Sequence, residues 1–342
     1  MNGVATKAWI GRMLQWAPAI LFALLIATFA GLSTRFFSVE NLEAILVQSS
    51  WLVVVALGMN FVLLSAGVDL SVGAVMYLAA ITVGMGFPHT SVWICLPLAV
   101  LAGGFFGALN ASLIVGLGIP AFIVTLALLF VGRGLGLFFS GTRIVYASRE
   151  VADLGRQALL GLPVPLWIAG AAVILGGLLL NRTAFGIYVR TIGADRECAR
   201  RAGVPTRSVT WRVYVLCGAF AGLGGFISLS QTSAASGAFG QNSEFLAIAA
   251  AVLGGTSLFG GRGHLWAPVI GAVLIMTVQN GLVMINANPY AYPVITGGVI
   301  FFAALLDSLR SKLQRRLERR PIRVEAAAAS LPLSSITTKT TQ

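Results

Sequence analysis

The chain has 342 residues, of which 57% are hydrophobic and only 10% charged, against about 25% charged in an average soluble domain. Mean hydropathy is +0.89, an excess of apolar side chains that one aqueous fold cannot bury, so lipid is the solvent for most of the chain. The formal net charge of +12 does not point to nucleic acid, because the basic residues sit in a few clusters between long uncharged runs and no basic–aromatic binding stretch occurs.

A membrane helix needs about 20 apolar residues to cross about 30 Å of hydrocarbon. Windows of that kind fall near 13–33, 45–65, 72–87, 91–117, 119–140, 164–181, 210–230, 244–260, 266–285 and 290–307. The expected fold is all-α and polytopic, with about ten transmembrane helices. The windows at 72–87 and 244–260 are short, and either suits a broken or re-entrant helix. The first window follows Lys7 and Arg12 like a signal peptide, but its apolar run is long for one, which favours an uncleaved anchor.

Basic residues orient these spans. With the N-terminus in the cytosol, the inner segments hold Lys7, Arg12, the arginines at 182, 190, 196, 200, 201, 207 and 212, Arg262, and the basic run from Arg310 to Arg323. The outer segments hold only Arg35, Arg143, Arg149 and Arg156. The asymmetry places both termini in the cytosol of a bacterial inner-membrane protein. Residues 1–310 form the expected transmembrane domain. After it, 311–320 reads as a cationic helix lying on anionic lipid, and 324–342 as a disordered tail rich in Ala, Ser and Thr.

Small residues recur at helical spacing, as in Gly103, Gly104, Gly107 and Ala108, and in Gly218, Ala221, Gly222 and Gly225, which lets helix backbones approach closely. Val72-Gly73-Ala74-Val75 and Ile270-Gly271-Ala272-Val273 each follow a glycine-bearing turn in the same expected direction, a weak sign of a parallel repeat.

Catalytic and metal signatures are missing. Cys95, Cys198 and Cys217 make no CxxC pair, and His89 and His264 have no partner at ligand spacing. None of Lys7, Lys312 or Lys339 follows a glycine, so no GxxxxGK[ST] phosphate loop exists. The reading is a non-enzyme without a cofactor. A membrane-embedded transferase would need clustered Asp, Glu or His at a membrane face, and a passive channel would leave the next segment without a purpose.

That segment, 182–209, is an inner loop that encodes its own short helix. Asp195 is a good N-cap, Arg196 to Ala202 suit a helix, Gly203 fits the position after its end, and Pro205 prevents continuation. Glu197 and Arg201 stand four apart with the acid first, the favourable order. Such a helix between two spans suits docking into a partner, but an ordinary solvated loop fits the physics equally well. Among polar residues, Asp69 reads as a cap for a helix starting near Leu70 or Ser71, or as a gating group near the inner mouth. Asn60, Asn110, Thr125, Gln279 and Asn280 either face a pathway or bond neighbouring helices, and Ser71 belongs with the pathway candidates. Arg133 reads as a snorkelling cation and Glu244 as an outer-mouth contact for a partner.

Four stretches carry a family resemblance. Phe185 to Pro205 resembles the coupling segment of the ribose-type ABC sugar permeases, whose usual text is close to FGRxIYAIGGNxxAAxxSGI. Gly67-Val68-Asp69-Leu70-Ser71-Val72-Gly73-Ala74 is similar to that family's G(I/V)DLSVGA signature. Ile119-Pro120-Ala121-Phe122-Ile123-Val124-Thr125-Leu126 resembles its PPFIVTLG segment, with Arg133-Gly134 following, and Leu253 to Gly263 resembles its LGGxSLxGGxG turn. The likeness runs from about residue 15 to 310 in the family's order. Asp195 replaces the usual Asn, Ala121 the second Pro, and Asn110-Ala111 an Asn-Gly, so no sugar specificity carries across.

The resemblance implies import of a pentose or hexose. It also implies three partners: a separate ABC ATPase, a periplasmic sugar-binding protein, and a second permease subunit, identical or merely similar. Asp195, Arg196, Glu197, Arg200 and Gly203 would then lie nearest the ATPase. A branched-chain amino-acid ABC permease is the alternative.

Overall fold

A computed structural model describes residues 22–86, 91–298, 301 and 305. The expected cationic helix at 311–320 and the tail beyond it lie outside the described residues. The fold is all-α. Helices run as α1 (Phe22–Leu32), α2 (Val39–Leu64), α3 (Val72–Gly86), α4 (Val92–Ala111, extended by a π turn at Ser112–Gly116), α5 (Ala121–Ser140) and α6 (Arg149–Leu154). They continue as α7 (Val164–Arg182), α8 (Ala184–Ala194), α9 (Arg196–Arg201), α10 (Thr206–Thr232), α11 (Ser243–Leu253) and α12 (Trp266–Met284), with further helix at 292–298. Two minimal antiparallel pairs join loops: β1 (Val145–Tyr146) with β4 (Ala234–Ala235), and β2 (Ala158–Leu159) with β3 (Leu162–Pro163).

Six helices among the described residues are long and apolar enough to cross a membrane: α2, α4 with its π turn, α5, α7, α10 and α12. The polytopic all-α reading therefore stands, while the count of about ten exceeds these six. The other four expected spans fall on α1, on α3 with 15 residues, on α11 with 11, and on 292–298. Part of the first and last of these windows lies outside the described residues. The physical reason for the short pair is visible in their flanks. Chain leading into α3 and out of α11 is non-helical, so each helix covers only part of the hydrocarbon thickness.

α2 and α3 form the centre. Leu52 through Leu64 on α2 and Val72 through Ile81 on α3 are buried all round, as expected of helices apolar on every face. α4, α5 and α7 lie outside them and expose Leu101, Phe105, Phe122, Phe130, Ile174 and Leu178, side chains suited to lipid tails. α1 packs on α12: Phe29 is buried with Phe36, Val278 and Leu282, and its ring fills the notch at Gly281.

Between helices in lipid no hydrophobic drive operates, so close backbone approach must supply the attraction. α4 and α10 achieve it with glycines at matched spacing. A Cβ on Gly103 would strike the Gly218 carbonyl and lie 2.8 Å from the Gly222 Cα, and one on Gly107 would strike the Tyr214 carbonyl. Reciprocally, a Cβ on Gly218 would lie 2.8 Å from the Gly107 Cα, and one on Gly222 would meet the Ala99 carbonyl. Gly73 and Gly271, the matching glycines of the two look-alike stretches, each face a backbone carbonyl, those of Gly240 and Ala250.

Gly103→Ala should therefore force the α4–α10 crossing apart at a cost of about 1–3 kcal/mol, lowering the thermal midpoint of the detergent-purified chain. Gly104→Ala meets only the Ala219 Cβ at 3.9 Å and should leave the midpoint unchanged. Equal midpoints for the two variants would refute the crossing.

Candidate functional site

The segment between α7 and α10 is built from local rules. Asp195 takes an extended conformation, and its Oδ1 accepts the backbone N–H groups of Glu197 and Cys198, both at 2.9 Å, so it caps α9. Glu197 Oε1 holds Arg200 at 2.9 Å and Arg201 at 3.1 Å, adding a second arginine to the expected pair. At the other end the Gly203 N–H reaches the Arg200 carbonyl and the Val204 N–H reaches the Ala199 carbonyl. This double bond pattern is a Schellman stop, and it requires the left-handed φ of +81° that Gly203 adopts. Pro205 then starts α10.

The helix is exposed on every side but one. Asp195, Arg196, Glu197, Cys198, Arg200, Arg201 and Gly203 are exposed, while Ala199 is fully buried and anchors it. The Asp195 carboxyl is held below the usual carboxylate range, first by the Cys198 N–H, and the Glu197 carboxyl is lowered first by its bond to Arg200. The same Asp195 carboxylate pushes the Cys198 thiol upward.

This face is tied rigidly to the helices behind it. Gly193 lies against the Leu64 carbonyl at the end of α2, so closely that any Cβ would overlap it, and the Gly261 N–H bonds that same carbonyl at 3.0 Å. Phe185 on α8 stacks on Phe61 of α2 at 6.0 Å. Arg190 clasps the α7–α8 corner through the Leu180 carbonyl and the Asn181 Oδ1. Arg207, in the first turn of α10, donates to the Val115 carbonyl in the π turn that follows α4. The helices on either side of α9, α8 and α10, thus contact α2, α7 and the π turn after α4.

The other sequence-derived residues separate into three places. Asp69, Ser71 and Asn110 come together: Asp69 Oδ1 accepts the Ser71 N–H at 2.9 Å and its hydroxyl at 2.6 Å, and Asn110 Nδ2 donates to Ser71 Oγ at 2.7 Å. The Tyr214 hydroxyl donates to the neighbouring Val68 carbonyl, and the Cys217 thiol lies against Asp69. The expected cap is corrected in detail. α3 begins at Val72, and Asp69 turns the chain ahead of it by holding Ser71, whose carbonyl accepts the Val75 N–H. Asp69 is 1% exposed, and among the described residues no basic side chain pairs with it.

Asn60 binds the Thr256 hydroxyl at 2.6 Å and so ties α2 to the glycine-rich turn after α11. Asn280 donates to Asn41 at 3.0 Å, joining α12 to the start of α2. Thr125 returns its hydroxyl to the Ala121 carbonyl of its own helix, and Gln279 is half-buried. Sequence reasoning did not single out Gly193, Arg190 or Tyr214. Their signal is a contact between residues far apart in the chain in two of the three cases, Gly193 with Leu64 and Tyr214 with Val68.

Because its folded value is depressed, the Asp195 cap contributes stability above the unfolded carboxylate value of about 4 and loses it as pH falls through the lower folded value. Protection of the 196–204 amides, relative to their intrinsic exchange rate at each pH, should hold from neutral pH to about pH 5 and fall below about pH 4. Asp195→Asn should remove that acid limb while keeping the cap, and Asp195→Ala should speed exchange at every pH.

The family model described as "Branched-chain amino acid transport system / permease component" matches residues 41–304. The ribose import permease protein RbsC of Escherichia coli (strain K12) is 33% identical over 312 residues, covering 89% of this chain and 95% of the relative. The D-allose transport system permease protein AlsC of the same strain is 33% identical over 302 residues, 87% of this chain and 93% of the relative. The L-arabinose transport system permease protein AraH is 33% identical over 303 residues, 88% and 92%. No solved structure matches the chain. With its six bilayer-length helices, this chain is a multi-pass membrane protein that belongs to the ABC-importer permease family containing the ribose, allose and arabinose permeases.

Proposed function

We propose that this chain is the membrane-spanning subunit of an ABC importer for a monosaccharide, a pentose or hexose. A periplasmic binding protein delivers the sugar and a separate ATPase subunit supplies the energy. The observation that carries this reading is the end-to-end likeness to three sugar permeases, spread over 87–89% of the chain. A branched-chain amino-acid cargo is the alternative, named in the description of the matching family model, and the ribose, allose and arabinose relatives favour the sugar over it. The chain performs no ATP chemistry itself.

In this reading the exposed face of α9, with Asp195, Arg196, Glu197, Arg200 and Gly203, docks into the ATPase. A rigid, capped helix with its charges outward and Ala199 inward suits a groove in a partner. Closure of the ATPase pair displaces α9, and the ties at Leu64, Phe61, Leu180 and Val115 carry the movement into the spans. Asp69, Ser71 and Asn110 form the buried gate that responds, since an acid at membrane depth held only by neutral partners is poised to change them. Asn60, Asn280 and Thr125 position helices, and Gln279 is left to face the path.

Two permease subunits, identical or similar, enclose that path. The short helices α1, α3 and α11 and the segment from 292 complete about ten passes, which leave both termini in the cytosol as the distribution of arginine and lysine favours. In this reading residues 1–310 make up the permease domain with its coupling segment at 182–209, and 311–342 are a cytosolic extension whose basic residues lie near its start.

The test is reconstitution with the ATPase and binding protein encoded beside this chain. ATP hydrolysis should rise when the binding protein is loaded with one sugar of a panel, and leucine or valine should have no effect. Arg200→Glu with Gly203→Pro should cut sugar-stimulated hydrolysis about tenfold or more, and unchanged hydrolysis would remove α9 from the coupling role.

A further inference from the structure

α3 and α11 are both short, and they begin at the same place. Ser71, Val72 and Gly73 open α3, and Ser243 and Glu244 open α11. The chain reaches this point from β4, which is paired with β1 at the end of the molecule remote from α9, by descending through 236–242. Gly240, near the bottom of that descent, lies against the Gly73 carbonyl. Arg133 reaches the same point from α5, seven residues short of the end of that helix at Ser140, hence about 10 Å below it. The meeting of the two helix starts therefore lies well inside the hydrocarbon thickness.

Its polar groups are incompletely satisfied. Glu244 is only 5% exposed, and its Oε2 has no hydrogen-bond partner among the described residues. That oxygen and the Gly240 carbonyl crowd the face of Gly73, and Arg133 Nη2 lies 3.4 Å from where a Gly73 Cβ would be. Arg133 Nη1 donates to the Phe239 carbonyl, and its guanidinium lies over the Tyr77 ring at 5.8 Å. Arg133 and Glu244 thus share one small space without closing an ion pair. A buried carboxyl oxygen left open beside an arginine calls for an explanation, and a polar ligand is one that fits a transport protein. Two interrupted helices whose N-terminal ends converge inside the bilayer form the kind of place where transported ligands bind.

We propose that Glu244 and Arg133, facing each other across Gly73, form a transient binding site for vicinal hydroxyl groups of the transported monosaccharide. The Glu244 carboxyl accepts one hydroxyl, the Arg133 guanidinium donates to its neighbour, and Tyr77 offers a ring face. The proposal rests on the sugar-import reading. It assigns that reading a contact point inside the membrane, where the binding protein can no longer hold the cargo. The site is closed in this conformation, and the 236–242 segment is the cover that must shift to admit the sugar.

The test uses the complete importer in proteoliposomes, with uptake of radiolabelled ribose, allose and arabinose and ATP hydrolysis measured together. Glu244→Gln and Arg133→Lys should each lower the sugar moved per ATP about tenfold, the worth of one charge-assisted hydrogen bond, with the amount of assembled complex and its thermal midpoint unchanged. Gly73→Ala, which fills the space, should lower the ratio as well, together with the thermal midpoint, because its Cβ would also strike the Gly240 carbonyl. Wild-type sugar-to-ATP ratios in the two polar variants would overturn the site while leaving sugar import intact. Uptake that falls only in proportion to assembled complex in all three variants would also overturn it, by making the cluster structural. Wild-type complex that moves none of the three sugars or any other monosaccharide of the panel would overturn the import reading itself, and the site with it.

Discussion

The packing of this protein depends on four glycines. Gly103 and Gly107 on α4 meet Gly218 and Gly222 on α10, each occupying the space where the other would carry a side chain. In lipid an apolar face gains nothing by leaving the solvent, so the gain comes from dispersion and weak Cα–H···O contacts at short range. The approach fixes α10 at the centre, against α2, α3 and α4 at once. Everything hung on α10 inherits that position: Tyr214 and Cys217 beside Asp69, Arg207 on the π turn, and α9 immediately ahead of its first turn.

The same geometry explains how a six-residue helix can matter to the whole chain. Isolated, α9 is too short to persist. Here an Asp195 cap, a Gly203 stop and a buried Ala199 hold it, and the Gly193–Leu64 contact leaves no slack between it and α2. Stiffness rather than size would suit it to the coupling role proposed for it. The polar groups further in, around Asp69 and around Glu244, sit at the starts of helices that do not run the full thickness of the membrane, where a small rearrangement of backbone is least costly.

Features governed by neighbours in sequence were legible without coordinates. The cap, the stop and the acid-first pair of α9 follow from adjacent residues, and the helix appears at Arg196–Arg201 as the residues require. Long apolar helices were legible too: the window at 164–181 matches Val164–Arg182, and that at 119–140 matches Ala121–Ser140. α2 begins six residues ahead of its window, since Glu40, Asn41 and Glu43 depress hydropathy while Ser38 caps the helix upstream. What could not be read was partnership. Helices apolar on every side carry no periodic signal to say which face meets which helix. Asn60 and Thr256, bonded across 196 residues, look from sequence like any two polar groups in spans. Glu244 looked like an outer-mouth contact because it opens its apolar window, whereas the chain through 236–242 carries it against Gly73.

The distance in sequence between the two halves of the glycine crossing has a biosynthetic consequence. α2, α3 and α4 enter the bilayer long before α10 is made, and each is stable there alone because a helix satisfies its own backbone. The α4–α10 crossing can close only once Gly218 and Gly222 have entered the bilayer. α9 is synthesised immediately before α10 and is pinned to the end of α2 only when that crossing closes. The exposed face of α9 therefore gains its backing only once α10 has entered the bilayer, with α11 and α12 still to follow.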